Sequence, residues 1–137
     1  MFLLSILMES RNLFYYPEDG VRELTNKDFS VNGIGEMIVT HPAFVQNNGL
    51  IMFYAPWCGH CKKFRQEWSN IALKTGNVFP IASVNSERQY AAERVGVKSY
   101  PTIKYVHKDG TMTTYQGNRR SSDILDFVCK KANVCNL

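Results

Sequence analysis

Leu50-Ile51-Met52-Phe53-Tyr54-Ala55 is an unbroken apolar run with Gly49 before it and Pro56 after it. Such a run suits a strand that is buried on both faces, as in the middle of an α/β sheet. The chain has 137 residues, which favours one domain, because compact domains run to roughly 100–150 residues and a second core would not fit. Hydrophobic residues make up 45% of it, enough to build a core around that strand and to exclude wholesale disorder.

The flanking segments supply the other layers. Val21-Arg22-Glu23-Leu24 alternates as a short edge strand. Thr25 can cap a helix after it, with Asp28 completing an imperfect capping box, while His41-Pro42 interrupts any simple helix over Met37 to Val45. From Cys58 to about Lys74 the pattern turns helical, with Cys61, Phe64, Trp68 and Ile71 recurring on one face. Val78 to Val84 reads as a second buried strand and Glu87 to Val95 as a short helix closed by Gly96. Ile103 to His107 and Thr111 to Tyr115 form a hairpin about Lys108-Asp109-Gly110. Ser121 or Ser122 can cap a last helix carrying Ile124, Leu125, Phe127, Val128 and Cys129. A βαβ half followed by a ββα half predicts a mixed sheet with helices on both faces.

The domain is expected to span 21–137, with residues 1–20 as an N-terminal extension. Phe2 to Met8 is apolar but lacks the basic start and cleavage site of a signal peptide. Lys and Arg number 16 against 12 Asp and Glu, a mild basic excess that reads as a solvated surface rather than a nucleic-acid footprint. No stretch reaches the roughly 18 apolar residues of a membrane span.

The four cysteines are too few for a disulfide scaffold, so their spacing carries the information. In Trp57-Cys58-Gly59-His60-Cys61-Lys62, two of them lie three residues apart where a buried strand gives way to a helix. The first sulfur then sits near unsatisfied backbone N–H groups and the positive end of the helix dipole. Both favour thiolate over thiol, and a protonated His60 would add to the effect. Half of a zinc site is the main competing reading. Cys129 and Cys135 lie at the far end, however, and His41 and His107 form no second ligand pair, so no metal is expected.

The segment Phe53 to Lys63 resembles the active-site segment of a catalytic domain of protein disulfide isomerase, within the thioredoxin superfamily. The likeness continues at Glu67-Trp68, at Gly96 to Thr102 and at Tyr115 to Arg119, and covers roughly Val21 to Lys131. It implies a thioredoxin-like three-layer α/β/α sandwich around a mixed sheet. It also implies that Cys58 is the exposed nucleophile and Cys61 the buried resolving cysteine, with Gly59 and His60 between them tuning the pair. Tyr100-Pro101 would be the cis peptide facing the disulfide, and Arg119 would favour ionisation of Cys61.

Two departures from that pattern stand out. Met52 occupies the place of a buried acid, and Pro80 to Val84 lacks the lysine that would pair with it. A buried charge without its partner costs several kcal/mol, so losing both predicts a drier, more apolar floor, slower deprotonation of Cys61 and reduced turnover. Gln66 stands where a kinking proline is common, which predicts a straighter helix. Cys129 on the apolar side of the last helix reads first as a small buried thiol; a bridge to Cys135 or a partner-facing thiol remain open alternatives.

The functional expectation is a thiol–disulfide oxidoreductase needing no cofactor. Trp57, Tyr100 and Pro101 would receive protein substrates carrying thiols or disulfides, and a redox partner protein or glutathione would renew the pair. His60 leans it toward oxidation and isomerisation. The chain is expected to be monomeric. An oxidising compartment would suit this chemistry, although the last residues show no retention signal. The alternative is a thioredoxin-fold binding module that holds a protein partner with little or no turnover.

Overall fold

The computed structural model describes residues 14–15, 19–76 and 78–135. Phe2 to Met8 lies outside them. The described strands are β1 (Arg22–Leu24), β2 (Phe29–Val31), β3 (Met37–Val39), β4 (Gly49–Tyr54), β5 (Ile81–Asn85), β6 (Thr102–Val106) and β7 (Met112–Thr114). Three α-helices accompany them: α1 (Gly59–Thr75), α2 (Ala91–Arg94) and α3 (Ser121–Ala132).

Five strands form one mixed sheet in the order β1-β5-β4-β6-β7. β5 runs parallel to both β1 and β4, whereas β6 is antiparallel to β4 and to β7. The apolar run is therefore central, and every residue of β4 is buried. Its pleat divides the core. Leu50, Met52 and Tyr54 pack with Cys61, Trp68 and Ile71 of α1 and Ile124 and Val128 of α3. Ile51 and Phe53 face the other way, toward Phe44 and the Ala91-Ala92 pair of α2. Full burial of a Leu, Ile or Phe side chain contributes about 1.5–3 kcal/mol, so this strand holds the two helical layers together.

Several local expectations shift. The helix after Thr25 is a single 3₁₀ turn, Asn26–Asp28, in which the Asp28 carboxylate accepts the Thr25 N–H at 2.9 Å. It stops because Phe29 turns extended to begin a separate hairpin, β2 against β3. Three-residue strands are too short for alternation to declare itself. The second buried strand begins at Ile81 rather than Val78, which is 70% exposed. The helix expected over 87–95 shrinks to α2, because Asn85 holds residues 87–89 in a turn through its side-chain and backbone oxygens. Neither Ser121 nor Ser122 caps α3: the N-cap is Arg120, and Glu67 of α1 accepts the Ser121 N–H at 2.7 Å.

Cys129 is not a buried free thiol but is joined to Cys135 in a disulfide. Asn133 ends α3 in the left-handed region and turns the chain back toward Cys129. Phe14 and Tyr15, within the segment read as an extension, pack onto the main core cluster.

Two stability changes are expected. Gly110 sits at φ +87 in the β6–β7 turn, and an added Cβ would approach the Val39 carbonyl at 2.7 Å. Gly110→Ala should cost about 1–3 kcal/mol in urea unfolding. Cys135→Ser opens the short terminal loop and should cost about 2 kcal/mol by loop entropy, read as a lowered midpoint that reductant no longer affects.

Candidate active site

Pro56 ends the central strand, and α1 begins two residues beyond Trp57 with Cys58 as its N-cap. The Cys58 sulfur accepts the Cys61 N–H at 3.3 Å, which satisfies one of the free donors of the first turn. The thiol also points to the Tyr100 carbonyl oxygen at 3.6 Å. The Tyr100–Pro101 peptide is cis, and Pro101 is buried. The loop before β6 thus closes over the N-terminus of α1.

This closure corrects one expectation. Cys58 is 6% exposed, not an open surface thiol, although it remains the more accessible of the pair beside Cys61 at 0%. Both are free thiols. Trp57, 65% exposed, packs edge-on against Tyr100 with ring centroids 6.2 Å apart, forming an apolar lip beside the sulfur.

The two sulfurs are polarised in opposite directions. Burial pulls the Cys58 thiol upward, but hydrogen bonds from Cys61 and from the His60 N–H, together with the Arg119 charge, outweigh it and leave the pKa below that of an ordinary thiol. Burial pushes Cys61 up to about 12, and the hydrogen bond to Cys58 adds to the rise. His60 therefore acts on Cys58 through its backbone, while its ring is exposed. Arg119, exposed in the loop before α3, lowers both sulfurs. Gly59 is not demanded sterically, since a Cβ there would meet nothing within 4 Å. Gln66 leaves α1 unbroken, its side chain bonding Asn70 at 3.1 Å.

Beneath the pair Met52 lies in an apolar cluster with both cysteines, and polar groups lie farther along its row of the sheet. Met52 is fully buried and lies in register with Ser83 of β5, which in turn lies in register with Glu23 of β1. The Glu23 carboxylate accepts the Tyr54 hydroxyl at 2.5 Å and the Ser83 hydroxyl at 2.6 Å. Glu23 is exposed as a residue, yet its carboxylate turns back over the sheet, where burial raises its pKa against the downward pull of the two hydroxyls. No motif in the sequence singles Glu23 out. The alternation of Val21 to Leu24 holds the signal, because it sets Glu23 on the face opposite Leu24. Among the described residues, no cluster of His, Cys, Asp or Glu is arranged to hold a metal ion, and no helix is long and apolar enough to cross a membrane.

A mixed five-stranded sheet, a cysteine pair at the start of α1 and a cis proline against it define a thioredoxin-fold protein. The thioredoxin family model matches residues 24–130, and the chain belongs to that family. It is 32% identical over 126 residues to a Protein disulfide-isomerase A6 homolog of Drosophila melanogaster, covering 90% of this chain and 27% of that one. With a putative protein disulfide-isomerase of Dictyostelium discoideum it shares 29% identity over 133 residues, 92% of this chain and 30% of the relative. The chain thus spans under a third of the length of these two relatives. The solution structure of the first thioredoxin domain of mouse Protein disulfide-isomerase A4 superposes with a TM-score of 0.62 at 32% identity, covering 85% of this chain and 76% of that domain.

Because the Arg119 charge lowers both sulfurs, Arg119→Gln should move the Cys58 titration upward. Thiolate absorbance followed against pH should rise later than in the parent, and alkylation at acidic pH should slow.

Proposed function

We propose that this chain is a thiol–disulfide oxidoreductase domain acting on protein thiols and disulfides, with 21–137 as its folding unit. The observation that supports it best is the contrast between two cysteines one helical turn apart. Cys58 is held below the ordinary thiol range, while Cys61 is held up to about 12. A sulfur that ionises early is the attacking group and the better leaving group, and a buried protonated sulfur waits until the first has reacted.

In the reducing direction the Cys58 thiolate attacks a substrate disulfide, forms a mixed disulfide and releases one substrate thiolate. Cys61 then attacks Cys58, loses its proton, and expels the second substrate sulfur as the Cys58–Cys61 bond closes. Oxidation runs these steps backward. Trp57 and Tyr100 offer the apolar lip, and the backbone beside Pro101 offers pairing groups to an extended peptide. A redox partner protein or glutathione resets the pair, and no cofactor takes part. With His60 between the cysteines the pair leans toward oxidation and isomerisation. Protein disulfide isomerase sits at about −180 mV and thioredoxin at about −270 mV, a separation of about 4 kcal/mol for a two-electron couple.

The test is refolding of scrambled ribonuclease and reduction of insulin. The parent should catalyse both, Cys58→Ser should abolish both, and Cys61→Ser should accumulate mixed disulfides visible by mass spectrometry. A parent that binds unfolded chains yet matches Cys58→Ser in rate would instead make it a binding module.

A further inference from the structure

The second cysteine pair sits at the opposite pole of a helix from the first. Cys58 caps the N-terminus of α1, where the positive end of the dipole supports a thiolate. Cys129 lies in the last turn of α3, where the negative end disfavours one. The two lysines of that turn are directed elsewhere. Lys130 pairs with Asp126 at 3.0 Å, and the Lys131 ammonium lies over the Tyr105 ring at 5.8 Å. A pair whose thiolate is supported holds electrons more firmly than one whose thiolate is not. Electrons therefore run from Cys129 and Cys135 toward Cys58 and Cys61. The structure has that distribution, a Cys129–Cys135 disulfide together with a reduced active pair. The two pairs do not meet within one chain. Cys58 follows the end of β4, whereas Phe127 and Lys131 of α3 pack on Tyr105, which lies in register with Leu50 near the start of β4. Leu50 and Tyr54 alone are separated by about 13 Å of strand.

The second pair also has the shape the first can accept. Cys58 lies just below the surface beside the Trp57–Tyr100 lip, so a reacting sulfur has to arrive on a projecting segment. Asn133 ends α3, and Val134-Cys135 follow outside the helix with Cys135 exposed and an apolar residue next to it. We propose that the oxidised Cys58–Cys61 pair of one copy of this chain closes the Cys129–Cys135 disulfide of a second copy. This deepens the oxidoreductase reading by naming a substrate, a cysteine pair bridging the end of a helix, and rests on that reading. The Cys135 thiolate attacks the Cys58 sulfur, the Cys58–Cys61 bond breaks, and its electron pair leaves on Cys61, which takes a proton. The Cys129 thiolate then attacks the Cys135 sulfur. The Cys129–Cys135 bond forms and Cys58 leaves as the thiolate that α1 stabilises. Two electrons pass between the copies. Of the two thiol protons, one ends on Cys61 and the other goes to solvent.

Two whole-chain variants test this. The doubly substituted Cys129→Ser, Cys135→Ser chain keeps only the active pair and is used oxidised. The Cys58→Ser, Cys61→Ser chain keeps only the second pair and is used reduced. After mixing, mass spectrometry of acid-quenched, alkylated protein should find the disulfide moved to the second pair. The resting ratio should favour it by about 10-fold, because the two helix ends act in opposite senses. The reverse mixture, with the second pair oxidised and the active pair reduced, should stay as it began. A resting ratio at or below one overturns the direction. Closure of the second pair no faster than in the unmixed reduced variant overturns the transfer between copies. Thermal melting checks that both variants are folded. Should the variant lacking the second pair be unfolded, the reduced parent given one equivalent of oxidised glutathione decides the direction. Its disulfide should rest at Cys129–Cys135, and one resting at Cys58–Cys61 overturns the proposal. The active-pair variant is also run on insulin and scrambled ribonuclease. Inactivity there overturns the oxidoreductase reading, whereas activity there without transfer overturns this proposal alone.

Discussion

The start of α1 has backbone donors with no helical partner, and the sulfur of Cys58 fills that role at 3.3 Å. A helix cap is normally a hydroxyl or a carboxylate, groups whose chemistry ends once the cap is made. Here the capping atom is also a polarisable, nucleophilic sulfur. The donors it satisfies are the same ones that stabilise its anion. The remaining structure keeps this arrangement in place: β4 delivers the turn, Trp68 and Ile71 fasten α1 to the sheet, and the loop at Pro101 closes the open side.

That placement creates a gradient across one helical turn. Cys58 lies just under the surface beside N–H donors and Arg119, whereas Cys61 faces the sheet in a setting that resists charge. Desolvation alone would raise both thiols. The difference arises because the first sulfur accepts hydrogen bonds from the Cys61 side chain and from the Cys61 and His60 N–H groups, while the second is more deeply buried and donates to the first.

The sequence conveyed the layered architecture well, because β4 and α1 have strong and different periods. The cysteine pair was legible from its spacing where a buried strand gives way to a helix, and the cis proline opposite it from the family resemblance. What escaped were features made by pairing across distance. The β2–β3 hairpin depends on two three-residue strands, and the cap of α3 is a glutamate borrowed from α1. The Cys129–Cys135 bridge could be weighed but not chosen from spacing alone. Glu23 is the most instructive case. Its alternation with Leu24 was visible, but its approach to Tyr54 and Ser83 depends on β1 pairing with β5, sixty residues away in the chain.

The two tryptophans occupy opposite extremes of environment within a dozen residues of chain. Trp57 stands 65% exposed on the lip of the site, and Trp68 is fully enclosed with its indole N–H unpaired among the described residues. An indole in water emits at longer wavelength than one in an apolar core, so their fluorescence separates by colour. The red side of the emission follows what settles against the lip, and the blue side follows the integrity of the core. The protein thus carries two optical reporters, one for occupancy and one for folding, with no label added.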